Sequence, residues 1–123
     1  MIKAIFSIIL ISLWSYGNEA TQSNIYILDI DVKSNKDNGK SWDIAGGSPD
    51  IKINIDGKNI PFKQDCKNHY RCSISFMSEK INKEWYFEIY DKDFNSDDLI
   101  GKGNCSFDKS CKLGRAKITI RKP

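Results

Sequence analysis

Trp85-Tyr86-Phe87-Glu88-Ile89-Tyr90 is the stretch on which the fold of this chain turns. Trp85, Phe87 and Ile89 fall on one side of an extended backbone, and Tyr86 and Tyr90 fall on the other. Bulky aromatic and β-branched side chains at period two suit a pleated surface with one face buried. The same alternation extends outward in both directions. Tyr26, Leu28, Ile30 and Val32 alternate with Ile25, Ile27, Asp29 and Asp31, which predicts a strand over Asn24 to Lys33. Ile51, Ile53 and Ile55 alternate with Lys52, Asn54 and Asp56, and Gly57 closes that strand. Ile60 to Lys63 reads as a short run in which Pro61 marks an edge or bent position. Cys72, Ile74 and Phe76 form another strand, and Ala116 to Ile120 the last. Asn, Gly and Asp clusters separate these runs, so the expected fold is an all-β antiparallel sandwich. Ser34 to Pro49 and Asp91 to Gly101 read as two long loops.

The chain has 123 residues, 28% of them charged, with a formal net charge of +3. So mild a charge does not point to a nucleic-acid binder, and a single histidine cannot build a His-rich metal site or a Ser-His-Asp triad. Met1-Ile2-Lys3, the apolar Ala4 to Trp14 and the small residues around Ser15-Tyr16-Gly17 have the three parts of a secretory signal. The apolar run is short of the roughly 20 residues a membrane span needs. Residues 1–20 are therefore expected to be a signal peptide cleaved after Gly17 or Ala20. Residues 21–123 then form one domain, a monomer secreted from the cell or held in a periplasm.

That placement governs the cysteines. Cys66 and Cys72 form one C-x5-C pair, and Cys105 and Cys111 form another. The spacing fits neither a zinc knuckle nor a thioredoxin-type redox pair. Four cysteines permit three connectivities, and short separation favours Cys66–Cys72 with Cys105–Cys111. His69, inside the first pair, reads as a surface residue.

Asp91-Lys92-Asp93-Phe94-Asn95-Ser96-Asp97-Asp98-Leu99-Ile100-Gly101 places four carboxylates directly after the decisive strand. Like charges crowded in this way repel, and a divalent cation relieves the conflict; hard oxygen ligands suit calcium. An EF-hand does not fit, because Ser96 stands where its glycine belongs, Lys102 where its bidentate Glu belongs, and the flanks are strands.

Tyr90, Asp91, Asp93, Asp98, Ile100 and Gly101 resemble the third calcium loop of C2 domains, in which D-x-D is followed by D-x-[IL]-G. Asp43-Ile44-Ala45-Gly46-Gly47-Ser48-Pro49-Asp50, leading into Ile51-Lys52-Ile53, resembles the first calcium loop of that family. The resemblance runs from about Asn24 to Ile120. It implies a Greek-key, C2-like sandwich that binds calcium through Asp43, Asp50, Asp91, Asp93 and Asp98, with Ser96 and Asp97 as possible extras. It also implies a tip at which Trp42, Ile44 and Phe94 could meet a membrane or a partner. The chain departs from the family in writing Pro49-Asp50-Ile51 for Asp-Pro-Tyr, and in placing the Cys66–Cys72 segment where a second Asn-Pro loop is usual.

Three function classes follow. The first is a secreted calcium-binding module attaching to an anionic lipid, phospholipid included, or to another surface. The second is a structural or protein-interaction sandwich in which calcium only rigidifies the loops or is absent. The third is an enzyme, disfavoured because no nucleophile, base and orienting group stand together in the sequence.

Overall fold

The structure is a computed structural model that describes residues 24–36, 38–42, 48–93 and 96–123. The expected signal segment, residues 1–20, and the site residues Asp43, Ile44 and Phe94 lie outside the described residues. Eight strands run in the order β1 (Ile25–Val32), β2 (Ile51–Ile55), β3 (Lys58–Asn59), β4 (Arg71–Met77), β5 (Glu84–Asp91), β6 (Asp98–Ser106), β7 (Ser110–Leu113) and β8 (Ala116–Arg121). They make two four-stranded sheets of order β4-β1-β8-β7 and β3-β2-β5-β6, with antiparallel neighbours throughout. The fold is the expected antiparallel sandwich.

The decisive strand behaves as its alternation requires. Trp85, Phe87 and Ile89 are buried, and face Leu28, Ile30, Ile118 and Ile120 from the other sheet in one continuous core. Burying each such side chain contributes about 1.5–3 kcal/mol before ordering costs are set against it. Tyr26, Phe76, Trp85 and Phe87 meet in edge-on and stacked contacts at one end of that core. Asp56-Gly57 turns β2 into β3 with both residues at positive φ, 51° and 78°, as a two-residue hairpin demands.

Two expectations need correction, and two strands were not foreseen. Residues 60–63 are not a strand: β3 ends at Asn59, because Pro61 has no N–H to continue the ladder. Asp91 to Gly101 is not one long loop, since Asp91 ends β5 and Asp98 already begins β6. The segment after Gly101 carries most of β6 and all of β7, strands that polar residues and glycines concealed.

The sandwich is closed along both lateral seams by disulfides. Cys66 follows the edge strand β3 and is bonded to Cys72 in the edge strand β4. Cys105 in β6 is bonded to Cys111 in β7, the opposite edges of the two sheets. Higher on this second seam the backbones touch. A Cβ on Gly101 would overlap the Leu113 carbonyl oxygen, and one on Gly114 would stand 2.5 Å from the Ile100 oxygen. Only glycine permits this crossing, and Arg115 N–H donates to Ile100 O across it at 2.9 Å. At the far end of the sandwich Ile27 pairs with Arg121, and Lys122 Nζ donates to the Ile25 carbonyl oxygen at 3.4 Å.

Candidate functional site

The ends of β2, β5 and β6 meet at one tip. β5 pairs with β6 in register from Glu84–Ser106 to Ile89–Gly101, then slips by one residue, so that Tyr90 faces Leu99 and Asp91 faces Asp98. The extra residue is Ile100, which like Gly101 is buried. This bulge, pinned by the Gly101 crossing, is what brings Asp98 opposite Asp91. Asp93 follows on the same turn. One carboxylate oxygen from each of Asp91, Asp93 and Asp98 lies within 4.8 Å of the others.

Like charges directly opposite on paired strands are unfavourable, and burial makes them more so. Asp91 is only 3% exposed, the one buried charged side chain among the described residues. Burial pushes its carboxyl up to about 6, and the charges of Asp93, Asp50 and Asp98 add to the shift. The Asp50 N–H donates to Asp91 Oδ1 at 2.9 Å and works against it. Lys92 N–H donates to Asp50 O at 2.8 Å, so Asp50 and Asp91 are held together by backbone as well.

Two lysines share the charge at the tip. Lys36 Nζ donates to Asp98 Oδ2 at 2.9 Å, and its hydrogen bond holds the Asp98 carboxyl below the usual carboxylate range. Lys52 Nζ donates to Asp97 Oδ2 at 2.9 Å. Neither lysine pairs with Asp91, and neither was singled out by sequence reasoning. Lys52 offered a signal, lying on the outward face of β2 two residues after Asp50; Lys36, more than sixty residues from Asp98, offered none.

The expected ligands divide into groups. Asp91, Asp93 and Asp98 are brought together. The Asp50 side chain lies close enough for its charge to raise Asp91, but its Oδ1 accepts from Asn68 N–H at 2.7 Å. Asp97 turns to Lys52 and also accepts from Asp93 N–H at 3.3 Å. Ser96 is exposed. Trp42, expected at the tip surface, is a correction: it is 4% exposed, packs in the core, and donates its indole N–H to Lys33 O at 2.7 Å. Its ring could enter an interface only by giving up both. Among the described residues the apolar side chain that the tip exposes is Leu99, 48% accessible and adjoining Asp98. His69 is exposed as expected, and its backbone N–H donates to Pro49 O at 3.1 Å.

The arrangement has a definite chemical capacity. Oxygen ligands at about 2.3–2.6 Å from one calcium ion lie at most about 5 Å from each other. Three carboxylates spread over 4.8 Å therefore fit around a single hard cation of that size.

No protein-family model matches the sequence, and no curated protein matches it. Solved structures do. One is a C2 domain at 15% identity and TM-score 0.44, over 78% of this chain and 96% of that one. Another is a C2 domain of plant extended synaptotagmin 1, at 14% identity and TM-score 0.44, over 81% of this chain and 95% of that one. A third contains two C2 domains of extended synaptotagmin 2, at 13% identity and TM-score 0.45, over 79% of this chain and 39% of that one.

Proposed function

We propose that this chain is a secreted, non-enzymatic C2-like module that binds calcium at the Asp91 tip and attaches through it to an anionic lipid surface. The observation that carries the reading is Asp91 itself: a carboxylate 3% exposed, set directly opposite Asp98 and beside Asp93, with no cation of the described residues paired to it. A divalent ion there would remove the repulsion, offset most of the negative charge of the tip and keep coordination positions open for phosphate oxygens of a headgroup. Asp91, Asp93 and Asp98 would hold the ion, with Asp50, Asp43, Asp97 and Ser96 as further ligands. Ile44, Phe94 and Leu99 are the apolar residues that would enter the surface. Two disulfides in a chain of this size support an oxidising compartment, and with it the signal-peptide reading of residues 1–20.

A second reading rests on Trp42 and Lys36. With Trp42 in the core and Asp98 already paired to Lys36, calcium could serve only to rigidify the tip of a sandwich that binds another protein. Calorimetric calcium titration of residues 21–123, repeated with phosphatidylserine vesicles, separates the two. Binding that tightens with vesicles supports the first reading. Binding that does not respond to vesicles, with a calcium-dependent rise in melting temperature, supports the second. No heat in either titration removes calcium from both.

A further inference from the structure

The outer face of the β4-β1-β8-β7 sheet is charged unevenly. Arg121 pairs with Asp29 at 2.6 Å and Arg71 pairs with Asp31 at 3.3 Å, which accounts for both acids of that face. Lys33, Lys112 and Lys117 make no ion pair with any described residue. Lys112 and Lys117 are directly opposite each other in the β7–β8 register. Arg115, in the turn between those strands, donates its Nε to Asn35 O at 2.8 Å and adds a fourth cation. These four side chains, with Asp31 whose carboxylate is held by Arg71, border a groove of about 480 Å³ whose floor is made low by Gly114 and the buried Ala116.

Like charges placed opposite one another cost stability, so packing does not explain the pair. Lysines also keep edge strands from pairing with other chains, which would account for Lys112 on the edge strand β7. It does not account for Lys117, because β8 is an interior strand, nor for Lys33 at the end of interior β1. What the cations share is the groove.

We propose that this groove is a metal-independent site for a compact soluble anion carrying several phosphate groups. Its volume lies in the range of small-ligand sites, about 300–1,000 Å³. Lysine ammoniums are mobile point charges that can converge on phosphate oxygens from different sides, where arginine forks would impose one plane. The recess between long side chains and small floor residues suits a compact ligand more than a flat membrane. The site needs no calcium and stands apart from the tip reading.

The test is calorimetric titration of the disulfide-bonded protein with inorganic tripolyphosphate in EDTA. Saturable one-to-one binding is expected, weakening as salt rises. K112Q/K117Q should weaken it at least tenfold with no fall in melting temperature, since the repelling pair is removed. S110W, which narrows the groove and removes no charge, should weaken it several-fold; K117Q alone serves if the double variant unfolds. K58Q/K63Q, away from the groove, should leave it unchanged. Absence of binding, or equal loss in K58Q/K63Q and K112Q/K117Q, overturns the site. Binding to phosphatidic acid vesicles without saturable tripolyphosphate binding overturns it too, leaving only a basic surface.

Discussion

The two C-x5-C loops have the same spacing and close opposite seams of the same sandwich, yet they face different ends of it. The Cys66–Cys72 loop reaches the acidic tip: Asn68 N–H donates to Asp50 Oδ1 and His69 N–H to Pro49 O. The Cys105–Cys111 loop lies toward the far end, where Asp108 N–H donates to Ile120 O and Phe107 packs on Tyr26. One cross-link therefore braces a charged site and the other a hydrophobic end. Equal spacing in sequence implies equal entropic stabilisation and says nothing about what a loop touches.

The largest expected effect tests whether the second seam also serves the tip. Gly101→Ala drives a Cβ into the Leu113 carbonyl, so it should cost about 3 kcal/mol or more, the upper range for overpacking, in a urea melt. A small cost would mean that the seam opens readily and does not fix the bulge that sets Asp98 against Asp91.

Next is the pH response of the tip. In metal-free protein the folded state holds the Asp91 proton up to about pH 6, whereas the unfolded chain releases it near 3.8. Stability therefore falls as pH rises through that window and levels off above it, by about 3 kcal/mol at 1.36 kcal/mol per unit. Asp29 and Asp98, held below their ordinary value by Arg121 and Lys36, act in the opposite sense and only at lower pH. Asp91→Asn should abolish the fall between pH 4 and 7, and calcium should abolish it in the unaltered chain. A fall that persists in the variant would place its origin elsewhere.

The comparison of the two loops is sharpest in the disulfides. Replacing either cysteine pair with alanine should cost about 2 kcal/mol, given loops of such similar length. Calcium affinity should drop only for Cys66→Ala/Cys72→Ala, because only that loop holds Asp50. Equal affinities in the two variants would break the distinction. The smallest effect is at Lys36. Its exposed-side pair with Asp98 contributes on the order of 0.5 kcal/mol, so Lys36→Ala should raise calcium affinity about two- to threefold.

How much of this could be read beforehand differs by element. β1, β2, β5 and β8 carry strict alternation with one buried face, and the chain states them openly. β6 does not, because its bulge buries Ile100 and Gly101 in succession and so breaks the period, while Lys102-Gly103-Asn104 resembles a loop. The acidic cluster was legible because Asp91, Asp93 and Asp98 are close in sequence. Lys36, Lys52 and Asn68 were not, since each acts through a partner 18 to 62 residues away. Trp42 was misread because an aromatic beside a loop has the same signature whether it points outward or, as here, finds a carbonyl and packs inward.

Ile25, Arg121 and Lys122 come together at the end of the sandwich remote from Asp91. A tether fixed to either terminus of the folded part would thus present the acidic tip away from its anchor. Biotin at the C-terminus should leave the site fully open on a sensor chip, and a fusion partner at residue 24 should do the same. The domain has a handle at one end and its acidic cluster at the other, whichever terminus is held.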